Sequence, residues 1–399
     1  RQSIMKFVRI AGVLLVAVSA VGLMYAFPRL VSGPLSSFGA VVAFAAVADQ
    51  PAVVVAYGRT GGGRSAPFGT DDMWQERLAA VSLDTGELLW DVQLHDQNGW
   101  ERAVLAVADG LAYVATDYGL SIVATEDGRI VAQNDQIRGL GDDYALAYTA
   151  YHVDPRIGAV VALTRSGAVV AIPLGTTDAA PAPAEVADAW RGTLIADSAA
   201  TRDATFVMND VDPAATPKHM VLPDGGAVHL SRQTGTLTRQ WPDGRTEVLT
   251  RIDDLDRPRL VYDIVRTPAA LATAQQLGEG TTMFTKHHSA AAELGTVNGV
   301  VLVRGDDPNG SGRESLRLID IGSGETVAVV TDLYDVHRAT TTPGGDILVF
   351  ATPAPGWFEH SNDNRLIVLR PDGRVTWTDI GLTDFWGRPR AETRSTDAC

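Results

Sequence analysis

The chain has 399 residues, of which 45% are hydrophobic and 20% are charged, and it contains 39 glycines. Its formal net charge of −15 at pH 7 disfavours nucleic acid or an anionic lipid surface as a partner, because either would repel the chain. The one cysteine, Cys399, excludes an intrachain disulfide, a cysteine-rich zinc site and an iron–sulfur cluster.

An uncharged apolar run near the N-terminus, Ile10–Phe27, is long enough to cross a hydrocarbon core of roughly 30 Å. Three cationic side chains precede it, which favours a cytoplasmic N-terminus. We therefore predict that residues 1–30 form a cytoplasmic tip and a single-pass transmembrane anchor in the cell membrane, with the rest of the chain extracytoplasmic. A cleaved signal peptide, with small residues at Val18-Ser19-Ala20, is the alternative, and it exports the same domain.

The next apolar stretch, Phe38–Val47, is too short to span a membrane and is interpreted as a stalk or a first strand. It precedes the first of three copies of a common sequence template. Each copy has a β-branched run, a polar loop, a second run, a tight turn and a third run. The first runs are Ala52–Tyr57, Val300–Arg304 and Ile347–Ala351. Such a recurring unit predicts the blades of a β-propeller, since one blade cannot bury its own faces.

The fold class predicted is thus all-β, with one transmembrane helix before a propeller over residues 31–385 and a flexible tail over 386–399. At about 40–50 residues per blade, the chain allows seven or eight four-stranded blades. Two segments depart from the strand pattern: Asp178–Asp188 is predicted to be a surface excursion, and Ala269–Leu277 a short helix after Pro268. The glycine-rich Tyr57–Arg64 lacks the Lys-Ser/Thr ending of a phosphate loop and is interpreted as a flexible loop.

Ala80–Trp90 (AVSLDTGELLW) resembles the repeat of the quinoprotein-like propellers, in which a Thr-Gly turn is followed by a Trp four residues later. In this motif Gly86 supplies a positive φ and Trp90 is expected to fill the wedge between blades. Ser82 stands where the family usually has Asp. Leu318–Ala328 and Ile367–Trp377 match the motif only in part.

The resemblance implies a propeller, and it bears on the cofactor. Family members that use pyrroloquinoline quinone (PQQ) carry the motif in most blades, with a calcium ligand set, an Asp base and often a vicinal Cys pair. This chain keeps one full motif and has no Cys pair, so it is more similar to the non-catalytic members, which act as scaffolds or binding platforms in the cell envelope. A PQQ-dependent oxidoreductase and a propeller hydrolase or lyase remain the alternatives.

Three long loops are predicted to join the second and third strands of their blades and to open onto one face: Gly58–Glu76, Gly305–Ser315 and Thr352–Asn364. They carry aromatic and acidic side chains that suit a cationic or hydroxyl-rich ligand, or a basic patch on an envelope protein. The candidate binding residues are Asp71, Asp72, Trp74, Trp357, Phe358, His360 and Asp363. In the alternative interpretation, the two tryptophans fold back over the blades.

One of these loops also resembles the first half of a calcium loop. Asp307, Asn309 and Ser311 place oxygen atoms at alternating positions, and Gly312 closes the bend. The twelfth position is Leu318 rather than a bidentate Glu, and a loop of turn formers has the same pattern without an ion. The sequence therefore predicts a membrane-anchored binding or scaffolding propeller of the bacterial cell envelope rather than an enzyme. It needs no cofactor, and calcium is an option at this loop.

Overall fold

A computed structural model of the protein describes residues 36–60, 74–97, 99, 101–194, 219–222, 224–231, 233–260, 299–307, 312–354, 364–383 and 389–396. Over these residues the protein is all-β, with one α-helix. The strands pair antiparallel with their neighbours along the chain, apart from one parallel pair of residues, Val41 and Ala103. Each four-stranded sheet of this kind is called a blade below.

The described strands make six blades, whose strands run outward from the first to the fourth. Blade 1 contains β1 (Ser36–Val47), β2 (Gln50–Thr60), β3 (Trp74–Ser82) and β4 (Leu88–His95). Blade 2 contains β5 (Arg102–Ala108), β6 (Leu111–Thr116), β7 (Gly119–Ala124) and β8 (Ile130–Gln133). Blade 3 contains β9 (Tyr151–Asp154), β10 (Ala159–Leu163), β11 (Val169–Pro173) and β12 (Ala180–Pro181).

The other three blades follow in the second half of the chain. Blade 4 contains β13 (His219–Val221), β14 (Ala227–Leu230), β15 (Thr236–Gln240) and β16 (Thr246–Arg251). Blade 5 contains β17 (Asp256–Leu260), β18 (Val300–Asp306), β19 (Glu314–Asp320) and the first part of β20 (Thr326–Thr341). Blade 6 contains the second part of β20, then β21 (Ile347–Pro353), β22 (Asn364–Leu369) and β23 (Val375–Thr383). A further strand, β24 (Pro389–Thr396), pairs with β23.

The blades stack face to face because both faces of their inner strands are apolar. In β2, Val53 and Val55 enter the core shared with blade 6, while Val54 and Ala56 enter the core shared with blade 2. Strand residues alternate between faces, so a near-continuous run of Val and Ala serves two cores at once. Similar cores join blade 2 to blade 3 and blades 4 to 6. Successive antiparallel blades packed in this way fit a β-propeller.

Blades 6 and 1 are far apart in sequence, yet they are joined by polar contacts as well as by a core. Arg370, which follows β22, donates to the main-chain oxygens of Leu83 (2.7 Å) and Asp84 (2.9 Å) after β3. The Oγ1 of Thr378 donates to the carbonyl of Gly86 at 2.5 Å. The last described blade is therefore fastened to the first.

The outer turn of blade 1 follows the predicted chemistry. Gly86 has a φ of 74° and donates its N–H to the carbonyl of Ser82, whose Oγ accepts from the N–H of Thr85 at 3.3 Å. In blade 5 the carboxylate of Asp320 accepts from the backbone of its own turn, including Ser323 at 2.7 Å. Ser82 thus caps its turn as Asp320 caps the turn of blade 5, but with a shorter side chain.

One segment differs from its prediction. Asp178–Asp188, expected to be a surface excursion, contains β12 and the start of helix α1 (Ala184–Arg191). Val186 and Trp190 of α1 are buried against β10 and β11 of blade 3. The pattern was missed because the Ala-Pro composition masks the spacing of these two apolar residues on one helical face.

The other predictions about the fold agree with the structure only in part. Phe38–Val47 lies within β1, as a first strand. The predicted tail over 386–399 instead contains β24. The count of seven or eight blades stays a prediction, because residues 195–218 and 261–298, including the proposed helix at 269–277, lie outside the described residues. The predicted span at 10–27 also lies outside them, and no helix in the described ranges is long and apolar enough to cross a membrane.

Candidate functional site

The strand ends that flank the three long connections lie at one end of the sheets, which we call the long-loop end. Arg370 joins the end of β22 to the end of β3, so the starts of both strands lie together at the other end. At the blade 5–6 junction, Arg304 near the end of β18 donates to the carbonyl of Val336 at 2.7 Å. The carboxylate of Glu314, at the start of β19, accepts from the N–H of Val336 at 2.9 Å. Segments 61–73, 307–313 and 354–363 therefore connect second to third strands at the same end.

Most of the predicted site residues lie outside the described residues, namely Asp71, Asp72, Asn309, Ser311, Trp357, Phe358, His360 and Asp363. Trp74 is the first residue of β3 and is paired with Thr60 of β2, which places its backbone at the long-loop end. Asp307 donates its N–H to the carbonyl of Arg313 at 2.8 Å across the 307–313 connection. Within the described ranges no three His, Cys, Asp or Glu side chains come together as a metal site.

A buried polar network at the long-loop end lies on the face of blade 1 that meets blade 6. The carboxylate of Asp91 accepts from the hydroxyl of Tyr57 at 2.6 Å and from Nε of Arg77 at 2.8 Å. The side chains of Arg77 and Asp91 are 6% and 5% exposed. Burial, with the nearby Asp91 charge adding to it, raises the pKa of Tyr57 well above its ordinary value. Tyr57 is therefore a neutral donor, and Asp91 is occupied by two partners.

A second guanidinium lies in the same network with fewer partners. Arg59 is 2% exposed, and its Nε donates to Oε1 of Gln75 at 2.9 Å. Its Nη1 is buried and has no hydrogen-bond partner. Burial lowers the pKa of Arg59, and the neighbouring Arg77 charge acts in the same direction. Asp91 is thus bound by one of these two cations, Arg77, while Arg59 donates to the neutral side chain of Gln75.

The opposite face of blade 1 carries a different, fully closed ion pair. Arg102, at the start of β5, donates to both carboxylate oxygens of Glu76 at 2.7 and 3.0 Å. A Cβ on Gly58 would lie 2.6 Å from this guanidinium, and one on Gly39 would lie 2.7 Å from the carbonyl of Arg102. The two glycines therefore make the space in which the pair is held. Burial raises the pKa of Glu76, opposed by the Arg102 charge.

His95 completes the polar contacts between blades 1 and 2. Its ring lies 5.2 Å from that of Tyr118, and its Nε2 is 3.1 Å from the side-chain amide of Gln133. Burial lowers the pKa of His95 to about 4, so the ring is neutral at pH 7. A neutral imidazole here acts as a packing and hydrogen-bonding group.

Sequence reasoning missed the charged groups at the long-loop end. Tyr57–Arg64 was predicted to be a loop, but Tyr57–Thr60 belongs to β2. The signal was the alternation Val53, Val55, Tyr57, Arg59, which continues one strand face from the core to its end. Gly58 between the last two residues suggested a loop, although its role is to make room for Arg102.

Comparisons with known proteins give distant likenesses to solved structures. No protein-family model and no curated protein matches the sequence. BamB from Moraxella catarrhalis is 13% identical over 86% of this chain and 90% of its own, with a TM-score of 0.21. A protein of unknown function from Bacteroides caccae is 12% identical over 76% of this chain and 89% of its own (TM-score 0.23). The WD40 β-propeller domain of Doa1 is 12% identical over 79% of this chain and 93% of its own, with a TM-score of 0.22.

These scores are too low to carry an argument. The propeller assignment therefore rests on the topology and packing of the blades described above. Shared cores join blade 6 to blade 1, blade 1 to blade 2, blade 2 to blade 3, and blades 4 to 6.

Proposed function

We propose that this protein is a propeller that binds a partner at its long-loop end and acts as a binding or scaffolding module. The observation that carries the proposal is the strand topology, which brings the flanks of the connections 61–73, 307–313 and 354–363 to one end. The other end is closed by short turns such as 83–87 and 371–373. Long connections on a rigid scaffold are the usual site of recognition.

The composition of the connections supports the kind of partner. Two tryptophans, Trp74 and Trp357, stand among the acidic residues Asp71, Asp72 and Asp363. Aromatic rings give contact area at low entropic cost, and carboxylates favour cationic or hydroxyl-rich groups. The net charge of −15 acts in the same direction over a longer range. We therefore propose a basic patch on an envelope protein, or a small cationic or hydroxyl-rich ligand.

The experiment compares partner capture by the full chain and by three single-tryptophan variants. Trp74→Ala and Trp357→Ala should each weaken capture by about 30-fold or more, since a true anchor contributes about 2 kcal/mol to affinity. Their melting temperatures should change little.

Trp241→Ala is the matched control. Trp241 follows β15 at the opposite end, where Arg239 donates to the carbonyl of Ile321 at 3.4 Å after β19, and Arg239 stacks on its ring at 3.6 Å. This variant should capture normally. Normal capture by both loop variants would show that the long-loop end is not the working surface.

We also propose that the propeller is held at the outer surface of the cell membrane by the segment 10–27. The support is the length of this apolar run and the basic residues before it. The full chain should resist carbonate extraction from membranes, and protease added outside spheroplasts should digest the propeller. Protection from that protease would contradict the placement, whereas a mature N-terminus near Val21 would indicate a cleaved signal peptide.

A further inference from the structure

Two buried hydrogen-bond donors without partners lie at the junction of blades 6 and 1. One is Nη1 of Arg59, and the other is Nδ2 of Asn364, the first residue of β22. Each residue is 2% exposed. Buried polar groups in folded proteins are nearly always paired, so two orphaned donors at one junction call for a common acceptor.

The strand registers place these donors opposite each other. Tyr57 is paired with Phe38, and Phe350 is paired with Leu366, on the facing surfaces of the two blades. The rings of Phe38 and Phe350 touch edge to face across the junction, with centroids 4.9 Å apart.

Arg59 lies two residues beyond Tyr57 toward the long-loop end, and Asn364 lies two residues beyond Leu366 in the same direction. Side chains two residues apart on a strand share a face. Both donors therefore stand one step above the aromatic contact, each directed from its blade toward the other.

The charges that the described residues bring to this junction are also unbalanced. Asp91 is the carboxylate of the network, and it is bound by Tyr57 and Arg77. Among the described residues, the acceptor for Arg59 is the neutral side-chain oxygen of Gln75. A guanidinium stays protonated in proteins, and a buried one is normally paired with an anion. The junction thus has one positive charge and two donors to offer, and it needs an acceptor that carries a negative charge.

We propose that the junction of blades 6 and 1 is a carboxylate-binding site, in which Arg59 supplies the charge and Asn364 a second donor. A carboxylate is planar and has two acceptor oxygens, which match a guanidinium and an amide better than a single halide ion does. Arg59 and Asn364 lie close to the ends of the tryptophan-bearing connections, at the end of β2 and the start of β22, but the test of this site does not depend on the partner proposed for those connections. Its ligand is a free carboxylate or an acidic side chain of a bound peptide.

The test measures the melting temperature of the full chain in rising sodium acetate, with sodium chloride lowered to hold the ionic strength constant. A ligand that binds only the folded state raises the melting temperature by an equal step for each tenfold increase above its Kd. The wild-type chain should show this rise.

Arg59→Met should abolish it, and without acetate it should melt no lower than wild type, because it removes an unpaired buried charge. A flat wild-type response, or an Arg59→Met chain that melts several degrees lower and still responds, would overturn the proposal.

Arg365→Met is the matched control, since Arg365 follows Asn364 in blade 6 and is fully paired with Asp379 at 2.6 and 2.8 Å. It should lower the melting temperature and keep the acetate response. Asn364→Asp should do the reverse, because it places a carboxylate beside Arg59: the melting temperature rises and the response is lost. Destabilisation by Asn364→Asp would contradict the facing arrangement.

Three further titrations identify the source of the carboxylate. Stabilisation by acetate alone indicates a free small acid, and stabilisation also by the peptide acetyl-Gly-Asp-Gly-amide indicates an acidic side chain. A response to phosphate but not to acetate would refute the choice of a carboxylate. An acetate response that appears only in the double variant Asp71→Asn, Asp72→Asn would show that the chain's own loop fills the site, which would overturn an external ligand.

Discussion

Trp90 is the ring that holds the outer edges of blades 1 and 2 together, and its removal tests the blade alignment. Its Nε1 donates to the carbonyl of Thr125 at 2.7 Å. Its ring lies against Gly128, where a Cβ would stand 2.8 Å from Cε3. Both contacts belong to the outer turn of blade 2, so Trp90 reaches across the junction as the repeat motif predicts.

The cost of Trp90→Ala follows from these contacts. A fully buried Trp costs about 3–5 kcal/mol when cut to Ala, and this ring is half-buried, so the packing loss should be about 2 kcal/mol. The hydrogen bond adds about 1 kcal/mol. We therefore expect a loss of about 3 kcal/mol, and about 1 kcal/mol for Trp90→Phe, which keeps most of the ring.

Urea unfolding followed by circular dichroism measures these losses. Val131→Ala, an exposed position on β8, is the control and should change stability by at most about 0.5 kcal/mol. Gly128→Ala should be less damaging in the Trp90→Ala background, because the ring it would strike is gone, while the strain of a φ of 75° remains in both backgrounds. A loss below about 1 kcal/mol for Trp90→Ala, or full additivity with Gly128→Ala, would refute the packing of this junction.

Two further predictions concern polar contacts of blade 1, one with blade 6 and one with blade 2. Arg370→Met should lower the free energy of unfolding in urea by about 2–4 kcal/mol, since it leaves the carbonyls of Leu83 and Asp84 without their donor. An unchanged free energy of unfolding would mean that the core alone joins blades 6 and 1. His95 has its pKa lowered to about 4, so between pH 6.5 and 4 the unfolded chain binds a proton that the folded chain does not, and stability falls as the pH falls. His95→Gln should remove about 2 kcal/mol of that loss, and unchanged pH dependence would contradict the burial of the ring.

The sequence predicts what depends on local chemistry. The turn at Gly86 and the capping by Ser82 follow from residues that are neighbours along the chain. The inter-blade position of Trp90 follows from the same motif, because its spacing from the turn sets the strand face that it occupies. These features could be predicted from a stretch of eleven residues, Ala80–Trp90.

The same spacing misleads where a turn differs by one residue. Trp377 stands four residues after Gly373, as Trp90 does after Gly86. However, Arg370 bonds its N–H to the carbonyl of Arg374, whereas Ser82 bonds to that of Glu87, so the blade 6 turn is shorter by one residue. A one-residue shift moves a side chain to the other face of a strand. Trp377 accordingly packs against the core of blades 4 to 6, toward the preceding blade rather than the next.

The candidate carboxylate site could not be predicted from sequence for a related reason. Nothing local distinguishes Arg59 in a glycine-rich stretch from an exposed loop residue, because its burial depends on blade 6, which lies at the far end of the chain. Asn364 can likewise be recognised as part of a candidate site only in the folded structure, where it faces blade 1. Contacts between residues so far apart in sequence are fixed by closure of the blades, which no short pattern encodes.

The two ends of the junction between blades 6 and 1 differ in a way that supports a functional interpretation. At the turn end of this junction, Arg370 and Thr378 donate to main-chain oxygens of blade 1. At the long-loop end the Glu76–Arg102 pair is equally complete, so the fold can satisfy buried charges there. The orphaned donors of Arg59 and Asn364 on the neighbouring junction are therefore not a general property of that end. Departures from otherwise consistent packing are expected where a protein meets its ligand. Of the three buried unpaired donors among the described residues, two lie together at this junction, and the third is Nε of Arg239 in blade 4.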